Sequence, residues 1–127
     1  MLRAVLDTNI LVSALLNPQG APADILRKMA IDDITVFYSP VIFAEYQEVL
    51  FRAKFGFDQV DVENLLGQIR LQGIMELPDV STVSMPDESD RVFYDTAKFC
   101  NAYLITGNKK HYPREKFIVS PAEFLYA

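Results

Sequence analysis

The segment Leu2-Arg3-Ala4-Val5-Leu6-Asp7-Thr8-Asn9-Ile10-Leu11-Val12 decides the fold of this chain. Its first five residues are mostly apolar, as in a short buried strand, and an acid stands where that strand ends. Apolar residues at helical spacing begin immediately afterwards, so a strand is followed directly by a helix. The acid, Asp7, therefore lies at the carboxyl end of a strand, which is the edge where open α/β sheets bind ligands.

Asp7 also has a simpler interpretation as the N-cap of the helix that follows it, because Asp caps helices well. Thr8 and Asn9 would cap that helix equally well, however. In addition, an acid directly after a buried strand faces a crevice from which water is partly excluded. We therefore treat Asp7 as the first candidate site residue and keep the capping role as the alternative.

The rest of the chain alternates between strand-like and helix-like segments, which indicates an α/β domain with a mainly parallel sheet. A length of 127 residues, half of them hydrophobic, suits one domain over residues 1–127 with a real core. We predict strands over residues 2–6, 34–38, 74–77, 102–106 and 117–119. Helices are predicted over residues 8–16, 22–31, 40–54, 58–72, from residue 87 onward and from residue 121 onward. The expected helix caps are Ser39, Asp58, Asp87 and Ser120, with Gly73 ending the fourth helix.

The composition narrows the classes of function. A formal net charge of −5 argues against tight sequence-independent binding of nucleic acid, which requires Lys and Arg to neutralise phosphates, but it does not exclude an enzyme that handles phosphates through a metal. Cys100 is the single cysteine, so no internal disulfide forms, and its apolar neighbours predict burial. No stretch approaches the ~20 apolar residues of a membrane span, and the N-terminus does not resemble a signal peptide. We therefore expect a cytoplasmic protein without a membrane segment.

Two further acidic segments are candidates for the same sheet edge as Asp7. Glu45 lies at the flank of the apolar stripe of the third predicted helix, and Asp87-Glu88-Ser89-Asp90 places three acids at a helix start. A helix N-terminus favours negative charge, which explains one or two of these acids but does not easily explain three. We expect Asp87 to cap the helix and Asp90 to be aimed inward, toward the site.

Polar residues after the fourth predicted strand complete the set of candidate site residues at this edge of the sheet. Thr106-Gly107-Asn108 offers a hydroxyl and an amide oxygen across a tight turn, and both groups suit a phosphate or a metal-bound water. Two like charges ~4 Å apart repel by roughly 4 kcal/mol at an effective dielectric constant of 20, so converging carboxylates need a counter-ion. Arg91 is expected to offset charge locally, and Asp95 is expected to be exposed or secondary. Oxygen ligands without a Cys or His cluster favour Mg²⁺ or Mn²⁺.

Basic and aromatic residues are the candidates for contact with a substrate. Four basic residues follow the turn at Thr106, namely Lys109, Lys110, Arg114 and Lys116. They either contact the substrate or belong to an ordinary solvated loop. We take Lys109, Lys110 and His111 as the substrate-binding candidates. Three tyrosines, Tyr46, Tyr94 and Tyr112, either stack on the bases of a nucleic acid or pack in the core.

Taken together, these motifs resemble the PIN-domain nucleases, and most of all the small prokaryotic VapC-like toxins of toxin–antitoxin pairs. The resemblance rests on Val5-Leu6-Asp7-Thr8-Asn9, on Glu45, on the start of the helix at Asp87–Asp90, and on Leu104-Ile105-Thr106-Gly107-Asn108. The order and spacing of these motifs fit over nearly the whole chain. The resemblance implies a three-layer α/β/α fold with a five-stranded parallel sheet in the order 3-2-1-4-5, in which strands one and four are neighbours.

The resemblance also implies an activity and a set of partners. The activity is hydrolysis of phosphodiester bonds in single-stranded RNA with one or two Mg²⁺ or Mn²⁺ ions, and the expected protein partner is an antitoxin. By resemblance, the catalytic and metal-binding acids are Asp7, Glu45 and Asp90, and the supporting residues are Asn9, Asp87, Thr106 and Asn108. Asn108 departs from the family, which often has a fourth acid at this position, so a second metal site would be weakened.

Two rival functions and a possible dimer follow from the same residues. The chain is alternatively a binding module that kept the acidic pocket, lost its activity and acts through protein partners. A phosphatase with Asp7 as nucleophile is disfavoured, because such enzymes commonly need a second Asp two residues on, where this chain has Asn9. Phe51, Phe55 and Phe57 bunch near a helix end, which is explained either by a homodimer contact or by core packing.

Overall fold

The computed structural model describes residues 2–126 and contains a parallel sheet of five strands in the order β3-β2-β1-β4-β5. The predicted fold class and strand order are therefore confirmed. The central strand pairs with β2 through Val5 and Phe37 and with β4 through Leu6 and Ile105. The strands are β1 (Leu2–Leu6), β2 (Ile34–Tyr38), β3 (Ile74–Met75), β4 (Tyr103–Ile105) and β5 (Ile118–Val119). The third strand is shorter than the predicted span of 74–77.

Helices flank this sheet and cover both of its faces. Successive residues of a strand point to opposite faces, and Ala4, Val5 and Leu6 are all fully buried, so neither face of β1 is open to solvent. The helices are α1 (Thr8–Leu16), α2 (Ala21–Ala30), α3 (Pro40–Leu50), α4 (Gln59–Gln72), α5 (Arg91–Phe99) and α6 (Pro121–Tyr126). None of the helices within residues 2–126 is long and apolar enough to cross a membrane.

The third helix ends four residues before the predicted end at residue 54. Phe51 closes α3 through its N–H to the carbonyl of Gln47, and Arg52 adopts an extended conformation with φ −63° and ψ 132°. A single 3-10 turn over Ala53–Phe55 then ends at a left-handed glycine, Gly56, with φ 60°. The apolar pattern suggested one long helix, but the chain folds back instead, and the ring of Phe55 stacks on Phe57 with centroids 5.2 Å apart.

Gly73 ends α4 as predicted, but for a different physical reason than a left-handed cap. Its backbone is extended, with φ −78° and ψ 167°. A Cβ at this position would lie 2.5 Å from the carbonyl oxygen of Ile69 and 3.0 Å from the ring of Tyr38. The glycine therefore permits a close approach of the chain as it enters β3, and a larger residue would displace backbone.

Three of the predicted N-caps are confirmed by side-chain hydrogen bonds. Ser39 Oγ accepts the N–H of Ile42 at 3.1 Å, which anchors the start of α3. Asp58 accepts the N–H of Val60 at the start of α4. The capping box of α6 is reciprocal, since Ser120 Oγ accepts from the N–H of Glu123 and the Glu123 carboxylate accepts from the N–H of Ser120. Cys100 is buried, as predicted.

Candidate active site

Asp7 occupies the carboxyl end of β1, and its surroundings decide between the two interpretations of this acid. Its backbone N–H donates to the carbonyl of Ile105 at 2.9 Å, which ties the residue to the end of β4. Asp7 holds the N-cap position of α1, but its side chain makes no capping hydrogen bond. Instead, Asp7 Oδ2 accepts from the hydroxyls of Thr106 and Tyr112, each at 2.8 Å. The carboxylate is therefore aimed across the sheet edge, and the capping interpretation of the side chain is wrong.

The turn after β4 is held against the start of α1 by a small polar network. Thr106 is fully buried, and its Oγ accepts the N–H of Asn108 at 3.0 Å while donating to Asp7. Asn9 Oδ1 accepts the N–H of Gly107 at 3.0 Å. The structure therefore brings Asn9, Thr106 and the Asn108 backbone beside Asp7, as expected from the strand order.

Glu45 reaches the same region from α3. The hydroxyl of Thr8 donates to Glu45 Oε2, so the residue after Asp7 holds this second carboxylate. The neighbouring Tyr46 is fully buried and donates its hydroxyl to the carbonyl of Leu6 at 2.5 Å, which locks α3 against the end of β1. Burial raises the pKa of Glu45 above its usual value, the bond from Thr8 opposes that effect, and the charge of Asp7 adds to it.

Asp90 is the third acid and the one whose ionisation is most perturbed. It stands immediately before α5, at the end of a 3-10 turn over Glu88–Asp90. Burial raises the pKa of Asp90 to about 6, with further contributions from the charges of Asp7 and Asp87 and a smaller one from Glu45. Asp90 Oδ2 is buried and has no hydrogen-bond partner within residues 2–126. Three carboxylates from separate elements therefore influence one another, and one of their oxygens is left unpaired.

Asp87 performs the capping role that was predicted for it. Its Oδ1 accepts the N–H of Ser89 at 3.0 Å and the hydroxyl of the same residue at 2.9 Å. The backbone hydrogen bond is the main reason why the pKa of Asp87 is lowered. The turn that Asp87 caps is the 3-10 turn before α5 and not α5 itself. Asp87 is exposed, so it supports the position of Asp90 from outside the crevice.

The expectation for Arg91 is wrong, and of the two alternatives for Asp95 the exposed one is excluded. Arg91 does not offset the charge of the site acids, because it pairs with Glu88 at 2.7 Å and donates to the carbonyl of Ser81 at 2.9 Å. Asp95 is not exposed, since only 5% of its surface is accessible. Its Oδ2 accepts the N–H of Ser81 at 3.0 Å, so it holds the segment before α5 against that helix. The sequence left open whether Asp95 is exposed or secondary, because the pattern cannot show that a loop covers this face of the helix.

The predicted substrate-binding residues lie at the rim of the acidic site. His111 is exposed, with its Nε2 2.9 Å from Asn108 Nδ2 and its Nδ1 3.7 Å from Asp90 Oδ2. Lys109 forms an ion pair with Glu123 at 2.9 Å, so its charge is already compensated. Lys110 is exposed and forms no ion pair within residues 2–126.

The three candidate tyrosines are buried, which excludes stacking on bases in this conformation. Tyr46, Tyr94 and Tyr112 are 0%, 2% and 4% exposed, respectively. Tyr112 is nevertheless a site residue, because its hydroxyl bonds Asp7. Thr8 is another site residue that the sequence did not reveal. Its position directly after Asp7 is the one signal that could have indicated it, whereas the role of Tyr112 has no signature in periodicity or spacing.

The oxygen atoms of the site residues are of the kind that binds a hard divalent cation, although the side chains do not form a complete metal-binding site in this conformation. Among residues 2–126, no three His, Cys, Asp or Glu side chains form a group that could hold a metal ion as they stand. The available donors are nevertheless all oxygens, which Mg²⁺ and Mn²⁺ prefer. Burial and, to a smaller extent, the charge of Asp7 raise the pKa values of Asp90 and Glu45, and Asp90 Oδ2 has no hydrogen-bond partner within residues 2–126, so a bound cation would stabilise the charged carboxylates.

Together, the parallel sheet in this order and the carboxylates beside its central strands define an α/β domain with an acidic crevice at the topological switch point. Residues 3–110 match a family model described as PIN domain. The chain therefore belongs to the PIN domain family, whose members are typically nucleases and include toxins of toxin–antitoxin pairs.

Individual proteins with similar sequence or structure were also found. The chain is 28% identical over 114 residues to the uncharacterized protein MJ1680 of Methanocaldococcus jannaschii, which covers 85% of this chain and 72% of that protein. The fold of this chain matches that of one chain in the crystal structure of VapBC2 from Rickettsia felis, which is bound to a DNA fragment from the VapBC2 promoter. That match has a TM-score of 0.61 at 19% identity and covers 94% of this chain and 97% of the other.

Proposed function

We propose that this protein is a metal-dependent endoribonuclease that hydrolyses phosphodiester bonds of single-stranded RNA. The observation that carries the proposal is the approach of Asp7, Glu45 and Asp90 at one sheet edge. Burial, together with repulsion from the charge of Asp7, raises the pKa of Asp90, and Asp90 Oδ2 has no hydrogen-bond partner within residues 2–126. Membership in the PIN domain family supports the nuclease class.

In this proposal, Asp7, Glu45 and Asp90 are the catalytic acids and would hold Mg²⁺ or Mn²⁺. Such an ion supplies Lewis-acid activation of water and charge neutralisation at the phosphate. Two hydroxyls, those of Thr106 and Tyr112, hold Asp7 Oδ2 and leave Oδ1 without a hydrogen bond within residues 2–126.

The supporting residues keep these acids in place. Thr8 orients Glu45, Asp87 fixes the turn that carries Asp90, and Asn9 holds the loop of Thr106 and Asn108. Candidates for contact with the RNA are Lys109, Lys110 and His111. Because Lys109 is paired with Glu123, it would have to exchange that partner for a phosphate.

We further propose that the protein is the toxin of a toxin–antitoxin pair. The fold shared with a chain of the VapBC2 complex supports an antitoxin protein as its partner. Residues 1–127 would form one PIN domain that acts in the cytoplasm. A homodimer through the region of Phe51, Phe55 and Phe57 is part of the same proposal, since Phe51 is 47% exposed. A monomer at micromolar concentration in sedimentation would exclude this dimer.

The direct test is a calorimetric titration of Mn²⁺ into the purified protein, followed by incubation with a mixed pool of single-stranded RNA. We expect metal binding, and we expect cleavage with Mn²⁺ or Mg²⁺ that EDTA stops. A parallel pool of single-stranded DNA with the same sequences tests the preference for RNA. RNA that stays intact with either metal, although the folded protein binds Mn²⁺, would overturn the nuclease proposal.

A second candidate function is a binding module that lacks activity and acts through protein partners. The observation that favours it is Asn108, whose amide contacts His111 at a position where the family often has a fourth acid. This alternative predicts metal or partner binding without turnover of RNA. Cleavage that disappears with the site acids would remove it.

Tyr112→Phe tests the role of a residue that the sequence did not identify. The substitution removes one of two hydroxyls from Asp7 Oδ2 and keeps the buried ring. Loss of a group that orients a ligand typically costs 10–100-fold in metal affinity or activity. We expect Mn²⁺ affinity to fall by about tenfold in calorimetry, with a parallel fall in cleavage.

Tyr126→Phe is the matched control for this experiment. Tyr126 is 83% exposed and forms no hydrogen bond within residues 2–126, so the same hydroxyl is removed away from the site. We expect wild-type metal affinity from the control. Equal affinities of the wild type and Tyr112→Phe would show that Thr106 alone is sufficient to orient Asp7.

A further inference from the structure

A pocket of about 610 Å³ lies beside the acidic site, and the proposal above assigns no ligand to it. Its floor is apolar and is formed by Tyr112, Pro113 and Ile118. Its rim carries exposed cationic side chains, which are those of Lys110, Arg114 and Lys116. An apolar floor under a cationic rim suits a nucleotide, whose base and sugar avoid water while its phosphate seeks positive charge.

The cations of this rim are available to a ligand. Lys110, Arg114 and Lys116 form no ion pair within residues 2–126. By contrast, Arg27, Arg52 and Arg91 each form an ion pair with a nearby carboxylate. In a chain with a formal net charge of −5, three unpaired cations around one pocket form a local region of opposite sign.

The one acid of the pocket lining does not neutralise these cations. Glu115 accepts a hydrogen bond from the hydroxyl of Tyr94 and lies 3.7 Å from Lys98 Nζ, and both partners belong to α5. Glu123, the acid nearest to Lys109, is occupied by that lysine. The positive charge of Lys110, Arg114 and Lys116 is therefore left to face solvent.

Tyr112 joins this pocket to the acidic site. The residue lines the pocket, and its hydroxyl donates to Asp7 Oδ2 at 2.8 Å. One buried tyrosine thus lines the pocket and also contacts the carboxylate of Asp7. A strand of nucleic acid that presents one phosphate to Asp7 has its next nucleotide within reach of the pocket.

We propose that the pocket of Lys110, Tyr112, Arg114 and Lys116 binds the nucleotide of single-stranded RNA that neighbours the cleaved bond. The inference rests on the proposed nuclease function and adds a subsite to it. The rim cations contact the phosphate of that nucleotide, and the apolar floor receives its sugar and base. The subsite contacts the substrate backbone and therefore adds affinity without reading sequence.

The double variant Arg114→Gln/Lys116→Gln tests this subsite through the salt dependence of binding. Fluorescence anisotropy of a fluorescein-labelled single-stranded RNA of mixed sequence is measured at several KCl concentrations in EDTA, so that metal-dependent cleavage is absent. Each phosphate contact contributes about 0.7 to the slope of log K against log salt for single strands. Because Arg114 and Lys116 contact the same phosphate, their joint loss is expected to lower the magnitude of the slope by roughly 0.7.

Lys28→Gln/Lys54→Gln is the matched control, because it changes the net charge equally and neither residue lines the pocket. We expect the control to keep the wild-type slope. A pocket variant with the same slope as the control, or wild-type protein that binds no RNA, would overturn the inference. Tighter binding of the wild type to oligoglutamate than to RNA would assign the pocket to an acidic protein segment and also overturn it.

A separate cleavage assay of the wild-type protein with Mn²⁺ on the same RNA distinguishes the two proposals. A reduced slope in the pocket variant without cleavage by the wild type would support the subsite and reject the nuclease. Cleavage by the wild type together with an unchanged slope would support the nuclease and reject the subsite. Thermal unfolding of both double variants tests whether they are folded, which is expected because Lys54, Arg114 and Lys116 are exposed and Lys28 is only half-buried.

Discussion

Asp7→Asn is expected to lower metal-dependent cleavage of RNA by at least ~100-fold, since loss of a group that only orients a ligand already costs 10–100-fold. The substitution replaces the charged carboxylate of the central acid with a neutral amide, which is a weaker ligand for a divalent metal ion. The protein is expected to stay folded, because an Asn side chain has nearly the same volume and its oxygen still accepts from Thr106 and Tyr112. Calorimetric titration of Mn²⁺ should show binding and cleavage lost together.

Asp79→Asn provides the control for this result. Asp79 is an exposed acid of the loop before α5, and the same change of charge there is expected to leave both metal binding and cleavage intact. Wild-type cleavage by Asp7→Asn, in preparations shown to be free of contaminating nuclease, would contradict the assignment of the site. Loss of cleavage with metal binding retained would instead place the ion on Glu45 and Asp90 and give Asp7 another role.

Asp90→Asn is expected to stabilise the metal-free protein while it abolishes function. A pKa of about 6 in place of 3.8 means that the folded state disfavours the charged carboxylate. The full shift corresponds to at most about 3 kcal/mol, and because the group is partly solvated we expect about 1 kcal/mol of it to be measurable. For a domain of this size, that is a rise in Tm of about 4 °C at pH 7.5 in EDTA.

The pH dependence of stability gives an independent check on Asp90. Between its unfolded pKa near 3.8 and its folded pKa near 6, the folded protein holds more protons at this group than the unfolded chain. The contribution of Asp90 to stability is therefore most favourable below pH 4 and is lost as the pH rises through 6. The gain in Tm from Asp90→Asn should accordingly shrink when the pH is lowered from 7.5 to 4.5.

Measurement of Tm for the wild type, Asp90→Asn and Asp79→Asn across this pH range decides the matter. The Tm of Asp79→Asn is expected to follow that of the wild type across the pH range, because Asp79 is exposed and is not one of the three site acids. A lower Tm for Asp90→Asn at pH 7.5 would show that the charged Asp90 is stabilising, which would contradict the expected cost of its burial and of its repulsion by Asp7. Addition of Mg²⁺ should raise the Tm of the wild type and not that of Asp90→Asn.

Local patterns were sufficient for the architecture because the determinants of each element are short-range. The apolar run Leu2–Leu6, the cap at Ser39 and the capping box at Ser120 each act within a few residues, and all three have the predicted roles. Errors occurred where a distant contact overrides the local pattern. The third helix stops at Leu50 because the chain folds back over Phe55 and Phe57, which periodicity cannot show.

For the site, the sequence by itself placed Asp7 at the end of a strand and Asp90 at the start of a helix, because the ends of elements are marked in the local pattern. Glu45 lies in the middle of α3, so its role was inferred from its place beside an apolar stripe and from the family resemblance. Only the tertiary structure decided what holds them: Tyr112 is 105 positions from Asp7 and Thr8 is 37 positions from Glu45. Hydrogen bonds between such distant residues depend on how strands and helices pack. The pairing of β1 with β4 and the docking of α3 create those contacts, and no spacing within the chain encodes them.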